Sequence, residues 1–416
     1  MGDPVPVAAG RVAPWKWGVV WLMFLATVIN YMDRMTVNST SDFLMREFGL
    51  DEHGYARVEM AFALSFGPMQ MVAGYIVTRY RLSRMYAVAL LVWSLAGFCT
   101  GLAPTIGAVV LCRIALGIAE SFNWPCAIGA VGRLIPRPKR PLANAIFHGG
   151  TSIGAICTPL VVAALIRSET DDWRPVFMLV GAVGAVWVLA WLGFVRGERA
   201  AELDHVPPEE APANPLGALA VLARNRKFWI AVAVGVGVNV CWHLYRIFLV
   251  RHLRVDLHYD FWTQQRFLAV FYLAADLGSM ALGYLTRLLT ESGMPLERVR
   301  QVMLFLTAGL CLVSTPAMLA TSPWVIVPLL CLVGAGALGG FAQYFALMQD
   351  VCGRAALAIG VSGTVSWLFV ALSTEVTGWA ATKLEGYTPL FIAVGFVPLI
   401  GACISLLWPK HDTEPV

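Results

Sequence analysis

Residues 106–134 read IGAVVLCRIALGIAESFNWPCAIGAVGRL. A hydrocarbon layer of ~30 Å takes ~20 apolar residues at 1.5 Å each, and this run is long enough. It nevertheless carries Arg113 and Glu120 in its interior. Ionised side chains are costly in lipid, and where they occur they usually serve a function. The spacing from 113 to 120 is two helical turns, so both residues share a face with Gly117 between them, and Asn123 and Trp124 continue nearly the same stripe. Pro125 lacks an N–H and predicts a kink just beyond it.

Working outward, the sequence offers about twelve runs of membrane-crossing length. They are Trp15–Asn38, Ala56–Val77, Met85–Leu102, Ile106–Leu134, Leu142–Ile166, Pro175–Val195, Phe228–Val250, Arg266–Leu289, Val299–Leu319, Trp324–Met348, Leu357–Ala381 and Pro389–Trp408. The 416 residues are 58% hydrophobic and only 13% charged, which excludes a soluble protein. The expectation is an all-α membrane protein with twelve transmembrane helices in two six-helix halves, 1–195 and 228–416. Residues 196–227, rich in charge and proline, read as a cytoplasmic linker that does not pack as a core.

Orientation follows from Lys and Arg in the connecting segments. Arg79, Arg81, Arg84, Arg133, Arg137, Lys139, Arg140, Arg196, Arg199, Arg224, Arg226 and Lys227 fall on one side, against Arg46, Arg57, Arg167, Arg174, Arg251 and Arg254 on the other. This predicts cytoplasmic N- and C-termini in a multi-pass protein of the inner (plasma) membrane. The polar, Pro-rich first dozen residues do not read as a cleaved signal. The nine cysteines lack metal-ligand spacing and read as small hydrophobes. The net charge of +4 gives no sign of a nucleic-acid partner.

The first run holds a second charged site, Asp33 and Arg34 in INYMDRMTVNS. At 1.5 Å per residue, Asp33, Arg34 and Arg113 all lie ~10 Å from the outer face, with Glu120 ~20 Å deep. If the first and fourth spans are neighbours, two carboxylates and two guanidiniums line one cavity. Burial favours a protonated carboxyl and a nearby Arg favours the ionised form. A substrate carboxylate that takes over an Arg would therefore drive a proton onto Glu120. Arg suits that task because its planar fork matches a carboxylate. The bland alternative is a set of salt bridges that only lock helices together.

NYMDR, the pattern R-x6-E-x2-NWP over Arg113–Pro125, RLIPRPKRPLANAIF with HGGTSIGAICTPLV, and AADLGSMALGYL resemble the anion:cation symporter family of the major facilitator superfamily. That family includes bacterial hexuronate and galactonate transporters and vesicular glutamate and sialic acid carriers. The resemblance implies that two halves rock about a midplane site, that Arg34 and Arg113 contact the anion, and that Asp33 and Glu120 carry protons. It implies proton-coupled import of a small anion such as a hexuronate or aldonate. The proton motive force would be the energy source, with no cofactor or metal, and the carrier would be a monomer. Departures from the family pattern are Thr78 and Arg81 where the loop after the second span usually has Asp and Gly, Phe66 where a Tyr is frequent, His148 where Asn or Ser is frequent, and the extra cation Arg246.

Several further residues carry two readings each. Tyr31 and Trp124 would stack on a sugar ring or simply pack. Gln70, Asn239 and Gln343 would bind hydroxyls or tie helices together. His148 would bind substrate or sit in the core, and Arg246 would be a third anion contact or snorkel outward. Asp276 reads as a helix–helix bond. No phosphate loop, HExxH or GxSxG motif is present, which argues against an ATP-driven pump or an enzyme. The rival functions are an exporter or antiporter on the same fold, and a membrane sensor that does not transport.

Overall fold

Long apolar segments in lipid can satisfy their backbone only as helices or closed barrels. The computed structural model describes residues 12–77, 79–136, 139–167, 172–205, 215–351 and 355–408, and all its regular structure is helical. In chain order the helices are α1 (Pro14–Ser39), α2 (Ser41–Phe48), α3 (Glu52–Val77), α4 (Leu82–Gly101), α5 (Ile106–Glu120), α6 (Asn123–Leu134), α7 (Arg140–Leu165), α8 (Arg174–Phe194), α9 (Glu198–Asp204), α10 (Pro215–Arg224), α11 (Arg226–Val255), α12 (Phe261–Glu291), α13 (Leu296–Leu312), α14 (Ser314–Leu319), α15 (Pro323–Val351), α16 (Ala355–Leu384) and α17 (Thr388–Ser405).

Counting α5 with α6 and α13 with α14, 11 spans among the described residues are long and apolar enough to cross a membrane. α1 is as long as α3, at 26 residues, but Lys16, Asn30, Asp33 and Arg34 dilute its apolar run. The terminal segments, Thr78, Arg137, Cys352, Arg354 and residues 206–214 of the expected linker lie outside the described residues.

The packing repeats. α1 lies on α7, α3 on α5 and α4 on α8; correspondingly α11 lies on α16, α12 on α15 and α13 on α17. The two sets meet along α3–α16 and α7–α12. Outward-facing Leu111, Leu189, Met280 and Leu372 are exposed, an apolar surface suited to lipid. Small residues let backbones touch. A Cβ at Gly117 would collide with Ser65 Oγ and lie 2.8 Å from the Phe62 carbonyl, so no larger residue fits between α3 and α5 as they stand. Gly74 and Gly283 have open space instead, so packing does not explain them.

The kink expected at Pro125 is a break between α5 and α6 at Ser121–Phe122. Pro125 has no N–H for the preceding turn, and the Ser121 hydroxyl donates to the Ile118 carbonyl (2.7 Å). Within the stretch expected to stay unpacked, two segments are helical, α9 and α10. α9 docks on the first set, with Leu203 buried and Asp204 accepting from Ser83 N (2.8 Å) and Ser83 Oγ (2.7 Å) at the start of α4. Those unpaired N–H groups of a helix start attract an acidic partner. The short α2, ended by Gly49 in the left-handed region (φ 61°), was not anticipated. The end of the bundle where α2 lies is called the α2 end below.

Candidate functional site

Side chains on a helix lean toward its N-terminus. α1 and α5 run in opposite directions, so Arg34 and Glu120 lean toward each other. Arg34 Nε donates to Glu120 Oε2 at 2.5 Å, with both side chains buried. Four rings surround the Arg34 guanidinium, Phe66 at 4.3 Å, Phe62 at 5.1 Å, Tyr31 at 5.4 Å and Trp367 at 5.9 Å, and their π faces attract a cation. Trp367 belongs to α16, so both sets of helices build this wall.

The second pair is Arg113 with Glu59. Arg113 Nη2 donates to Glu59 Oε1 at 2.9 Å, and its guanidinium lies 4.7 Å from the Phe62 ring. Both residues stand two turns into helices that start at the α2 end, α5 and α3, which gives them a common depth. Across the interface, Arg246 Nη2 of α11 lies 3.8 Å from Glu59 Oε2. Arg246 Nε donates to His243 Nδ1 (3.2 Å) and Nη1 to Asn38 Oδ1 (3.4 Å). The His243 ring packs on Trp367 at 4.3 Å.

This arrangement corrects three expectations. Arg113 pairs with Glu59 rather than Glu120, because Glu120 is already held by Arg34. The second carboxylate facing the guanidiniums is Glu59, not Asp33. Asp33 is buried without an ion pair among the described residues and lies against Gly97 of α4, where a Cβ would sit 2.5 Å from Asp33 Oδ1. Its Oδ2 has no hydrogen-bond partner there. Arg246 does not snorkel but lies at the centre, because Glu59, His243 and Asn38 converge on it.

The other residues divide between the centre and their own helices. Tyr31 borders Arg34. Gln70 Oε1 lies 2.9 Å from where a Cβ would sit on Gly363 of α16. Asn123 accepts from Tyr86 OH (2.7 Å) and donates to Thr27 (3.3 Å). The Asn239 amide donates to its own helix at Gly235 O (2.8 Å), and Gln343 donates to Thr286 (3.0 Å). These bonds favour helix fastening for Asn123, Asn239 and Gln343. His148 is exposed and meets Trp124 edge-on at 4.6 Å, which is not the environment of a core histidine.

Sequence reasoning missed Glu59 and His243. The signal for Glu59 was a lone acid in EMAFALSF, but starting that span at Ala56 put it near the water. His243 sits one turn before Arg246, on the same face.

At the α2 end the two sets are clasped. Arg251 of α11 pairs with Asp42 and, bidentately, with Glu52 (2.6 and 3.0 Å). Tyr387 OH donates to the same Glu52 (2.5 Å), and His53 meets Glu375 at 2.7 Å. Asp256 accepts from Tyr387 N (2.9 Å) and Thr388 N (2.8 Å) and meets His252 Nδ1 at 2.7 Å. Burial pushes the Asp256 carboxyl up, but His252, Thr388 and Tyr387 outweigh it and hold it below its ordinary value. Among the described residues, the ion pairs that join the two sets all lie between the centre and this end.

Guanidinium N–H groups remain at the centre. Arg34 Nη2, Arg113 Nε and Nη1, and Arg246 Nη2 are buried without a hydrogen bond among the described residues. Such groups are donors only, and their forks suit a carboxylate.

The family model described as Major Facilitator Superfamily matches residues 23–374. The chain belongs to the Major Facilitator Superfamily. It is therefore a multi-pass membrane transporter and not an enzyme. Among its superfamily relatives, the hexuronate transporter of Escherichia coli (strain K12) is 29% identical over 96% of this chain and 95% of its own. The probable L-galactonate transporter of the same strain is 23% identical over 92% and 86%. A solved bacterial homologue of the human lysosomal transporter Spinster, in an inward-facing and unoccupied conformation, superposes with a TM-score of 0.78 at 16% identity, covering 96% of this chain and 100% of that one. The last likeness supports the superfamily fold alone.

Proposed function

We propose that this carrier imports a small organic anion, a sugar acid such as a hexuronate or aldonate, together with protons by alternating access. The observation that carries it is the group of buried guanidiniums at the centre, which have N–H donors to spare. The names of the relatives supply the sugar-acid class. Arg34 and Arg113 hold the carboxylate, Arg246 adds a third cation, and Tyr31 and Gln70 border the site. Trp124 and His148 contact the substrate on its way inward. Asn123, Asn239 and Gln343 are the remaining candidates for sugar hydroxyls, available only by leaving their present partners.

Asp33 and Glu120 carry protons. When the substrate takes Arg34, Glu120 loses its counter-ion and the neutral form is favoured. α1 is the twelfth span, residues 196–227 link two six-helix halves, both termini are cytoplasmic, and the carrier works as a monomer in the inner membrane on the proton motive force. The α2 end is then the outer face, and its clasp closes that face. Buried arginines suit anions and count against an exporter of lipophilic cations.

The test is uptake of glucuronate, galacturonate and galactonate into proteoliposomes under an inward proton gradient, with glucose and galactose as neutral controls. Gradient-driven uptake of an acid but not its neutral parent supports the proposal. Uptake unaffected by collapsing the gradient removes the proton coupling, and no uptake of any acid by folded protein removes the substrate class.

A further inference from the structure

One group at the centre has no place in that scheme. Glu59 projects from α3 with a side chain that is 0% exposed, and two guanidiniums converge on it. Arg113 lies at 2.9 Å on the same half, and Arg246 at 3.8 Å on the opposite half. Arg246 is held in that direction from its own half, since its Nε is bonded to His243 and the tilted His243 ring packs on Trp367. Two arginines from two moving bodies thus close on one buried carboxylate belonging to the protein.

We propose that Glu59 is an internal stand-in for the transported carboxylate. It joins Arg113 and Arg246 across the two halves in the empty carrier, and the cargo anion takes its place between them. This rests on the cargo being a carboxylate. A buried guanidinium cannot be left without a counter-anion except at large cost, so the empty carrier needs an anion there when it reorients, and so does the loaded one. Exchanging one carboxylate for another meets that need with little change in local charge.

The displaced Glu59 remains inside the protein, beside the cargo anion. The charged and titratable groups facing it are Arg113 from α5, Arg246 and His243 from α11, Arg34 from α1 with Glu120 behind it, Tyr55 one turn away on α3, and Tyr272 from α12. α16 contributes Trp367 at this level.

The experiment is hydrogen–deuterium exchange at the α2 end, over residues 36–57 and 247–258, in the substrate-free carrier. Glu59→Ala should speed exchange there by about tenfold, as losing one partner of a buried pair is a large change beside the small free-energy gap between carrier states. Adding about 100 mM acetate, the missing side chain's carboxylate in free form, should restore the slow rate, while acetamide and chloride should not. Arg246→Gln should also speed exchange, and acetate should not rescue it. Rescue by acetamide as well as acetate, or no rescue in Glu59→Ala while the α12–α15 contact keeps wild-type exchange, would overturn the proposal. Should Glu59→Ala not fold, Glu59→Gln answers the same question: wild-type exchange at the α2 end overturns it. These outcomes do not depend on whether sugar acids are carried.

Discussion

Replacing Glu120 with Gln tests the proton role at the Arg34 pair. The side chains are 4% and 0% exposed and 2.5 Å apart. Removing one partner of such a pair costs about 3–5 kcal/mol because the other charge stays buried. Gln keeps an oxygen for Arg34 Nε, and the four rings at 4.3–5.9 Å still face the guanidinium, so the cost falls near the lower bound, about 3 kcal/mol. The purified variant should unfold several degrees below wild type.

The transport signature is sharper. One proton per monoanion lets a gradient of one pH unit, worth about 1.36 kcal/mol, hold about a tenfold accumulation. In proteoliposomes loaded at pH 8 and diluted to pH 7, wild type should approach that ratio for its sugar acid. Glu120→Gln should stay near unity while still exchanging labelled for unlabelled substrate. Accumulation by the variant at the wild-type ratio would refute the assignment of a coupling proton to Glu120.

Other perturbations test the remaining contacts. Arg34→Lys keeps the charge but loses the flat guanidinium among Phe62, Phe66, Tyr31 and Trp367, so substrate affinity should fall about tenfold or more; an unchanged KM would contradict the anion-contact role. A Cβ on Gly378 would collide with Ala56 and lie 3.0 Å from the Glu52 carbonyl, so Gly378→Val should cost about 1–3 kcal/mol of closure and speed amide exchange in α2; unaltered exchange would show that the clasp has slack. Arg251→Gln removes the cation that Asp42 and Glu52 share and should speed exchange at the same end, whereas Arg57→Gln, whose side chain is 62% exposed, should change little. The Asp256 carboxyl is held low in the folded state, so its stabilisation is present above the unfolded value of about 3.9 and lost as pH falls below it. The thermal-midpoint gap between wild type and Asp256→Asn should therefore persist from pH 7 to about pH 4 and shrink below; a gap that widened in acid would reverse the sign.

Much of the site could be read from spacing. Arg113 and Glu120 were placed on one helical face, and a charge inside an apolar run singled them out with Asp33 and Arg34. The pairing could not be read. Charge counts make Asp33–Arg34 and Arg113–Glu120 equally good partners, and local spacing favours them. The folded chain chooses Arg34–Glu120 and Arg113–Glu59, because antiparallel helices lean their long side chains toward each other and because α3, remote in sequence from α5, presents Glu59 at the depth of Arg113.

By itself, then, the sequence determined that this chain forms long helices in a membrane and that a few ionised groups lie within it, since both follow from local hydropathy and helical period. Only the tertiary structure decided which charges meet, that Arg246 joins them from the other set of helices, that Asp33 stands apart against Gly97, and that the two sets are clasped at the α2 end. Ion pairing inside a bilayer depends on which helices are neighbours and where their side chains reach, and neither quantity is a property of any one segment.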